Sequence, residues 1–125
     1  MPTITISSQR RSDMLCGALE GGSNYWYFLG DDASDIVEKY GDRSKTPYVD
    51  LMWKAIEAGE TIPVRGNEDE DSILGSIDLV SIENGEQRMV DQYPEHFADL
   101  FAENDDATTA DIWFQLAVLG ELVYG

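Results

Sequence analysis

The chain is predicted to adopt an α+β fold, a small antiparallel sheet with three to four helices packed on one face and a C-terminal helix central to the core. Three observations carry this. Extended segments come early in the 125 residues, apolar residues at helical spacing dominate later, and the closing segment is apolar on almost every side.

Residues 3–7 alternate Thr, Ile, Thr, Ile, Ser, the period of a half-buried strand. Ser8 is suited to cap a helix over residues 8–20, with Met14, Leu15, Ala18 and Leu19 inward and Gly21-Gly22 ending it. Residues 23–29 hold Tyr25, Trp26, Tyr27 and Phe28 in a row and read as a strand packed on both sides. Residues 30–46 are polar, with a short helix over 33–40 stopped by Gly41.

Residues 48–58 satisfy two patterns. Val49, Met52, Trp53 and Ile56 fit a helix, whereas Val49, Leu51, Trp53 and Ala55 fit a strand. A strand is favoured, because Gly59 and the extended run 61–65 complete a hairpin. Residues 66–72 form an acidic turn, and a short strand follows at 73–77. Asp78 caps the next helix, where Leu79, Ile82, Glu86, Met89 and Tyr93 recur at helical spacing. Leu79, Ile82, Met89, Val90 and Tyr93 face inward. Gly85 inside that helix costs about 1 kcal/mol relative to Ala, which points to a close packing contact. Pro94 breaks the helix and opens another over 95–103. Thr108 and Asp111 have capping-box spacing, opening a last helix through Leu119. Ile112, Trp113, Phe114, Leu116, Ala117, Val118 and Leu119 leave it few polar positions, and Gln115 among them is expected to bond a buried backbone group.

The length fits one domain, residues 1–125, able to bury a core without metal or disulfide. At 42% apolar and 26% charged residues, the composition is that of a globular rather than a disordered chain. Its sign is unusual: 25 acidic against 8 basic residues give a net charge of −17. Such a chain is repelled by nucleic acid phosphates and by anionic membrane surfaces, so neither is expected as a direct partner. The first six residues lack the basic and apolar regions of a secretory signal. The apolar stretch 112–124 is interrupted by Gln115 and Glu121 and is too short for a bilayer. A cytoplasmic protein is expected.

Two blocks carry a resemblance. Cys16-Gly17-Ala18-Leu19-Glu20-Gly21-Gly22-Ser23-Asn24-Tyr25-Trp26-Tyr27 is similar to an opening block in small acidic proteins of phages, prophages and plasmids. Their closing block resembles Tyr93-Pro94-Glu95-His96-Phe97-Ala98-Asp99, then residues 103–111, Gln115, and Gly120-Glu121-Leu122-Val123-Tyr124-Gly125. The likeness covers under half of the chain and leaves out residues 31–71. It implies a mobile-element origin and a single domain. No reaction and no functional residues follow from it.

Arrangements that could carry chemistry are weak. Glu95, His96 and Asp99 share a helical turn, but a catalytic zinc commonly takes three protein ligands, often two of them histidine, and this chain has one histidine. Asn67-Glu68-Asp69-Glu70-Asp71 fails the EF-hand template, which needs Gly at its sixth position, here Ser72, and Glu at its twelfth, here Asp78. Cys16, the lone cysteine, sits on an expected inward helix face, where it behaves as a small hydrophobe rather than a nucleophile for His96. Gly21-Gly22-Ser23 lacks the Lys and spacing of a phosphate loop. No enzyme, cofactor or metal is therefore expected.

What remains is charge and aromatic density. The candidate partner-binding residues are Glu68, Asp69, Glu70 and Asp71, with Asp31 and Asp32, Asp105 and Asp106, and Tyr25, Trp26 and Tyr27. A 125-residue globule is roughly 35 Å across. Seventeen charges match those on about 29 Å of duplex DNA. Two readings follow. One is a mobile-element-encoded inhibitor of the DNA-mimic type, anti-restriction or anti-CRISPR, occupying the basic groove of a host-defence protein. The other is a non-enzymatic accessory domain, as a monomer or a homodimer, whose acidity serves solubility or a high-salt cytoplasm and whose Trp and Tyr are all core.

Overall fold

A computed structural model describes residues 6–23, 25–67, 69, 71–101 and 107–124, with the backbone alone at Leu100 and Phe101. Of the strand expected over 3–7, positions 3–5 lie outside the described residues, and Ser7 is instead a helix cap. Its extended backbone lets Oγ accept from the Arg10 N–H at 3.2 Å, opening α1, Ser8–Gly17. Ser8, expected as the cap, lies inside the helix. Its hydroxyl accepts from Trp53 Nε1 and donates to Glu57, both at 3.0 Å. A π-helical turn, Ala18–Gly22, continues α1, and Met14, Leu15, Ala18 and Leu19 are buried as expected.

Only Tyr27–Phe28 of the expected aromatic strand is extended (β1). The residues before it turn back, with the N–H groups of Trp26 and Tyr27 both donating to the Ser23 carbonyl. α2, Asp31–Val37, passes through a 3₁₀ turn, Glu38–Tyr40, to Gly41.

Residues 48–57 overturn the expected strand, for they form α3, Tyr48–Glu57. Leu51, Met52, Ala55 and Ile56 are completely buried, the i, i+1, i+4, i+5 stripe that only a helix turns to one side. Pro47 starts it, Asp50 and Lys54 suit the helix dipole, and Gly59 ends it rather than turning a hairpin. At φ +98° Gly59 takes the left-handed position after the cap. Its N–H donates to Ile56 O and that of Glu60 to Ala55 O, both at 3.0 Å, a Schellman motif.

The hairpin partner of β2, Ile62–Gly66, is β3, Ile73–Ile77. The sheet has the order β1-β2-β3, all antiparallel, with Ile62 opposite Ile77, Tyr27 opposite Gly66 and a bulge at Val64/Arg65. Ile62, Val64 and Ile77 point into the core. α4, Leu79–Gln92, opens on a reciprocal Asp78–Ser81 capping box, α5 is Pro94–Phe101, and α6 is Ala107–Leu119. Among the described residues there are thus six α-helices rather than three to four, partly because α3 is helical.

Residues 109–118 of α6 are all buried, and α6 packs on α1, α4, α5, the π turn and β3, the central element expected. A Cβ on Gly85 would stand 2.7 Å from Ala117 N and Leu116 C, so glycine there lets α4 cross α6 closely. Beside that crossing, Arg11 grips Glu86 with Nη2–Oε1 at 2.6 Å and Nε–Oε2 at 3.0 Å, and Trp113 Nε1 donates to Glu86 Oε2 at 3.0 Å. One buried carboxylate thereby joins α1, α4 and α6. No helix among the described residues is long and apolar enough to cross a membrane.

Candidate interaction face

Carboxylates and aromatic residues far apart in the chain meet at the end of the sheet where β1 pairs with β2. The turn after β2 is held by its own side chains: Asp69 Oδ2 accepts from Ser72 Oγ at 2.7 Å and Oδ1 from the Asp71 N–H at 3.2 Å. Asn67 then ties the turn to the aromatic segment, its N–H donating to Trp26 O at 2.8 Å and Nδ2 to Tyr25 O at 3.3 Å. Asp69 and Asp71 remain exposed.

Alongside lies the start of α2. Asp32 accepts from its neighbour's backbone, Ala33 N–H, at 2.9 Å and from Arg65 Nη2 at 2.8 Å. The Arg65 hydrogen bond, more than the backbone donor, holds the Asp32 carboxyl below its ordinary 3.8. Asp31, Asp32, Arg65 and Asp71 together with Phe28, Leu29 and Gly30 line a mostly polar cleft of ≈ 370 Å³. A second cleft of ≈ 320 Å³ shares Phe28 and Leu29 and is completed by Tyr27, Ser34, Arg43 and Tyr48. There the Arg43 guanidinium sits 4.8 Å from the centre of the Tyr48 ring.

The aromatic run divides by role. Trp26 belongs to the core, stacked on Tyr124 at 5.3 Å and 10°. Tyr27 is half-buried, its hydroxyl donating to Leu19 O at 2.7 Å and its ring edge-on to Phe114. Tyr25 is 47% exposed over the residue. Its hydroxyl nevertheless tucks against Asp111, and burial, followed by that carboxylate, pushes its pKa up to about 12.

Asp111 is no part of a capping box, because α6 begins four residues before it. Its Oδ1 accepts from Ser23 Oγ at 2.7 Å and Trp26 Nε1 at 2.8 Å; its Oδ2 accepts from Tyr25 Oη at 2.6 Å and Gln115 Nε2 at 3.1 Å. Gln115 bonds backbone, though of the part-exposed chain end rather than buried backbone, its Oε1 accepting from the N–H groups of Val123 and Tyr124 at 3.0 and 2.9 Å. A cleft of ≈ 510 Å³ runs past Tyr25 and Thr108 over this network.

Of the acidic and aromatic candidates, then, Asp31, Asp32, Asp69, Asp71 and Tyr27 stand at or beside one face, Tyr25 turns its side chain to the separate cleft over Asp111, and Trp26 is interior. Glu68, Glu70, Asp105 and Asp106 lie outside the described residues. Arg43, Tyr48 and Arg65 complete the face and were not singled out by any motif.

Elsewhere the chemistry is muted. Cys16 is only half-buried, not buried as expected. Burial and then Glu20 nevertheless raise its pKa, the reverse of an activated nucleophile. His96 Nδ1 lies 3.3 Å from Thr109 Oγ1. Among the described residues no three His, Cys, Asp or Glu side chains converge where they could hold a metal ion. Comparison with protein-family models, curated proteins and solved structures finds no match.

Proposed function

We propose that the chain is a non-enzymatic acidic binding protein that occupies the basic groove of a nucleic-acid-handling protein. The observation that carries this is the meeting, at one end of the sheet, of a mostly polar cleft carrying exposed carboxylates with an adjoining cleft lined by Tyr27, Phe28, Leu29 and Tyr48. Charge alone would steer a basic partner to many parts of a surface with net charge −17. The adjoining cleft, with Tyr27, Phe28, Leu29 and Tyr48 in its lining, supplies what charge lacks, a place to bury contact area. The likeness of both chain ends to phage and plasmid proteins turns the proposal toward host defence, where blocking a restriction or CRISPR component serves the mobile element.

One observation favours the accessory reading instead. Trp26, Trp53 and Trp113 are all buried, so no tryptophan is available as an interface anchor. Tyr25 at 47% exposure and the half-buried Tyr27 and Tyr48 weigh on the other side.

Pull-down from host lysate at low salt separates the two. Recovery of a nuclease, restriction or CRISPR component in a salt-sensitive fraction is the expected result. Bait that stays clean across several hosts overturns the binding proposal and leaves the accessory reading.

A further inference from the structure

We propose that the two joined clefts beside β1 receive an extended segment of the partner protein, with an arginine in the cleft of Asp31, Asp32 and Asp71 and a large apolar side chain over Phe28 and Leu29 beside Tyr48. This rests on the binding function just proposed and names the part of the partner that is read. The acidic cleft holds three carboxylates and one guanidinium, an excess of two negative charges. Asp32 is hydrogen-bonded to Arg65, whose guanidinium also feels the Asp71 charge, and Asp31 and Asp71 are exposed on the same cleft. A planar guanidinium suits this site better than an ammonium, since it can bond carboxylates in a fork and lie flat on apolar and aromatic surface. Arg43 over Tyr48 shows one such arrangement next door.

The second half of the recognition follows from the shared floor. Phe28 and Leu29 belong to both clefts, so the two ligand side chains sit side by side. In an extended peptide, side chains on one face recur every second residue, about 6.5–7 Å apart. An arginine and an apolar residue at i and i+2 therefore fit adjoining clefts, and a nucleic acid, repelled by the carboxylates, does not.

The test is an NMR titration of the isotope-labelled chain with a capped peptide of alternating Arg and Leu, against alternating Lys and Leu and alternating Arg and Ser. Expected shifts concentrate at Phe28, Leu29, Ser34, Tyr48 and Asp71, with the Arg–Leu peptide bound most tightly. Asp31→Asn with Asp71→Asn should weaken it about tenfold. Glu83→Gln with Asp91→Asn, two exposed acids of α4, removes equal charge and should change affinity less than about threefold. Equal weakening by both pairs, shifts scattered over the acidic surface, or self-association of the chain through this face each overturns the inference. None of these outcomes depends on the pull-down, whose failure would count against the binding function itself.

Discussion

Replacing Asp111 by Asn should be among the most damaging single-atom changes available to this chain. The carboxylate accepts four hydrogen bonds, two on each oxygen, from Ser23, Trp26, Tyr25 and Gln115, and the residue is 8% exposed. Asparagine keeps one acceptor oxygen, which satisfies Ser23 and Trp26. Its amide then faces Tyr25 and Gln115 Nε2. The tyrosine hydroxyl can rotate and accept, but Gln115 cannot turn over, because its Oε1 holds the N–H groups of Val123 and Tyr124. Two donors are left facing one another, and all the surviving bonds lose their charge assistance.

A hydrogen bond to a charged group is worth about 1.5–3 kcal/mol net, so losing one and weakening the rest gives about 2–4 kcal/mol. With total stability on the order of 5–15 kcal/mol, that is a large share. At this size it lowers the melting temperature by roughly 6–20 °C. Urea unfolding followed by far-UV circular dichroism and by tryptophan fluorescence measures it, the latter reporting on Trp26 together with the buried Trp53 and Trp113. A shift below about 0.5 kcal/mol would refute the reasoning, for it would mean the four bonds are not all made in solution.

Further outcomes follow from other contacts. Gly85→Ala gains about 1 kcal/mol of helix propensity, yet its Cβ would stand 2.7 Å from the α6 backbone, so urea midpoints should show a net loss of about 1–3 kcal/mol. Glu86→Leu leaves Arg11 and Trp113 Nε1 without their buried acceptor and should cost about 3–5 kcal/mol by the same measurement. Tyr25, with a folded pKa of about 12 against 10 unfolded, contributes stability that is complete below pH 10 and lost as pH rises through 12. Ultraviolet titration should show that late phenol moving toward 10 in Asp111→Asn. Asp32 has the opposite sense: its folded pKa lies below 3.8, so its contribution is present above 3.8 and vanishes as pH falls further. Carboxyl NMR titration of Asp32 should move up toward 3.8 in Arg65→Met.

Several elements were legible because short-range signals agreed. Asp78 and the spacing of Ile82 and Met89 specified α4, the glycine at 85 pointed to its close packing, and the continuous apolar run specified α6 as the centre. Residues 48–58 misled because Val49, Leu51, Trp53 and Ala55 alternate while Met52 and Ile56 supply the helical stripe. The arbiters were Pro47 and Gly59, and Gly59 serves a hairpin turn as readily as a helix end. Asp111 suggested a capping box with Thr108 instead of its true role, since its partners Ser23, Tyr25 and Trp26 lie 85–88 residues away. Among the candidate face residues, acidity and aromaticity were visible, whereas the closure of Asp71 onto Asp31 and Asp32 depended on the β1–β2 pairing.

This separation of carboxylates by environment bears on how a charge argument should be framed. Asp111 and Glu86 are buried and bonded, so they hold the fold and offer nothing to a partner. The whole-chain charge of −17 therefore overstates what a basic groove would meet. Screening acts on the exposed remainder, with a Debye length of about 10 Å at 0.1 M salt. Added salt should stabilise the chain under either reading of its function, because self-repulsion is common to both. Only substitutions that hold net charge equal and move its location distinguish a shaped site from an acidic coat. On this surface such a distinction is available, since the Asp31 and Asp71 carboxylates share one cleft and those of Glu83 and Asp91 stand on an exposed helix face.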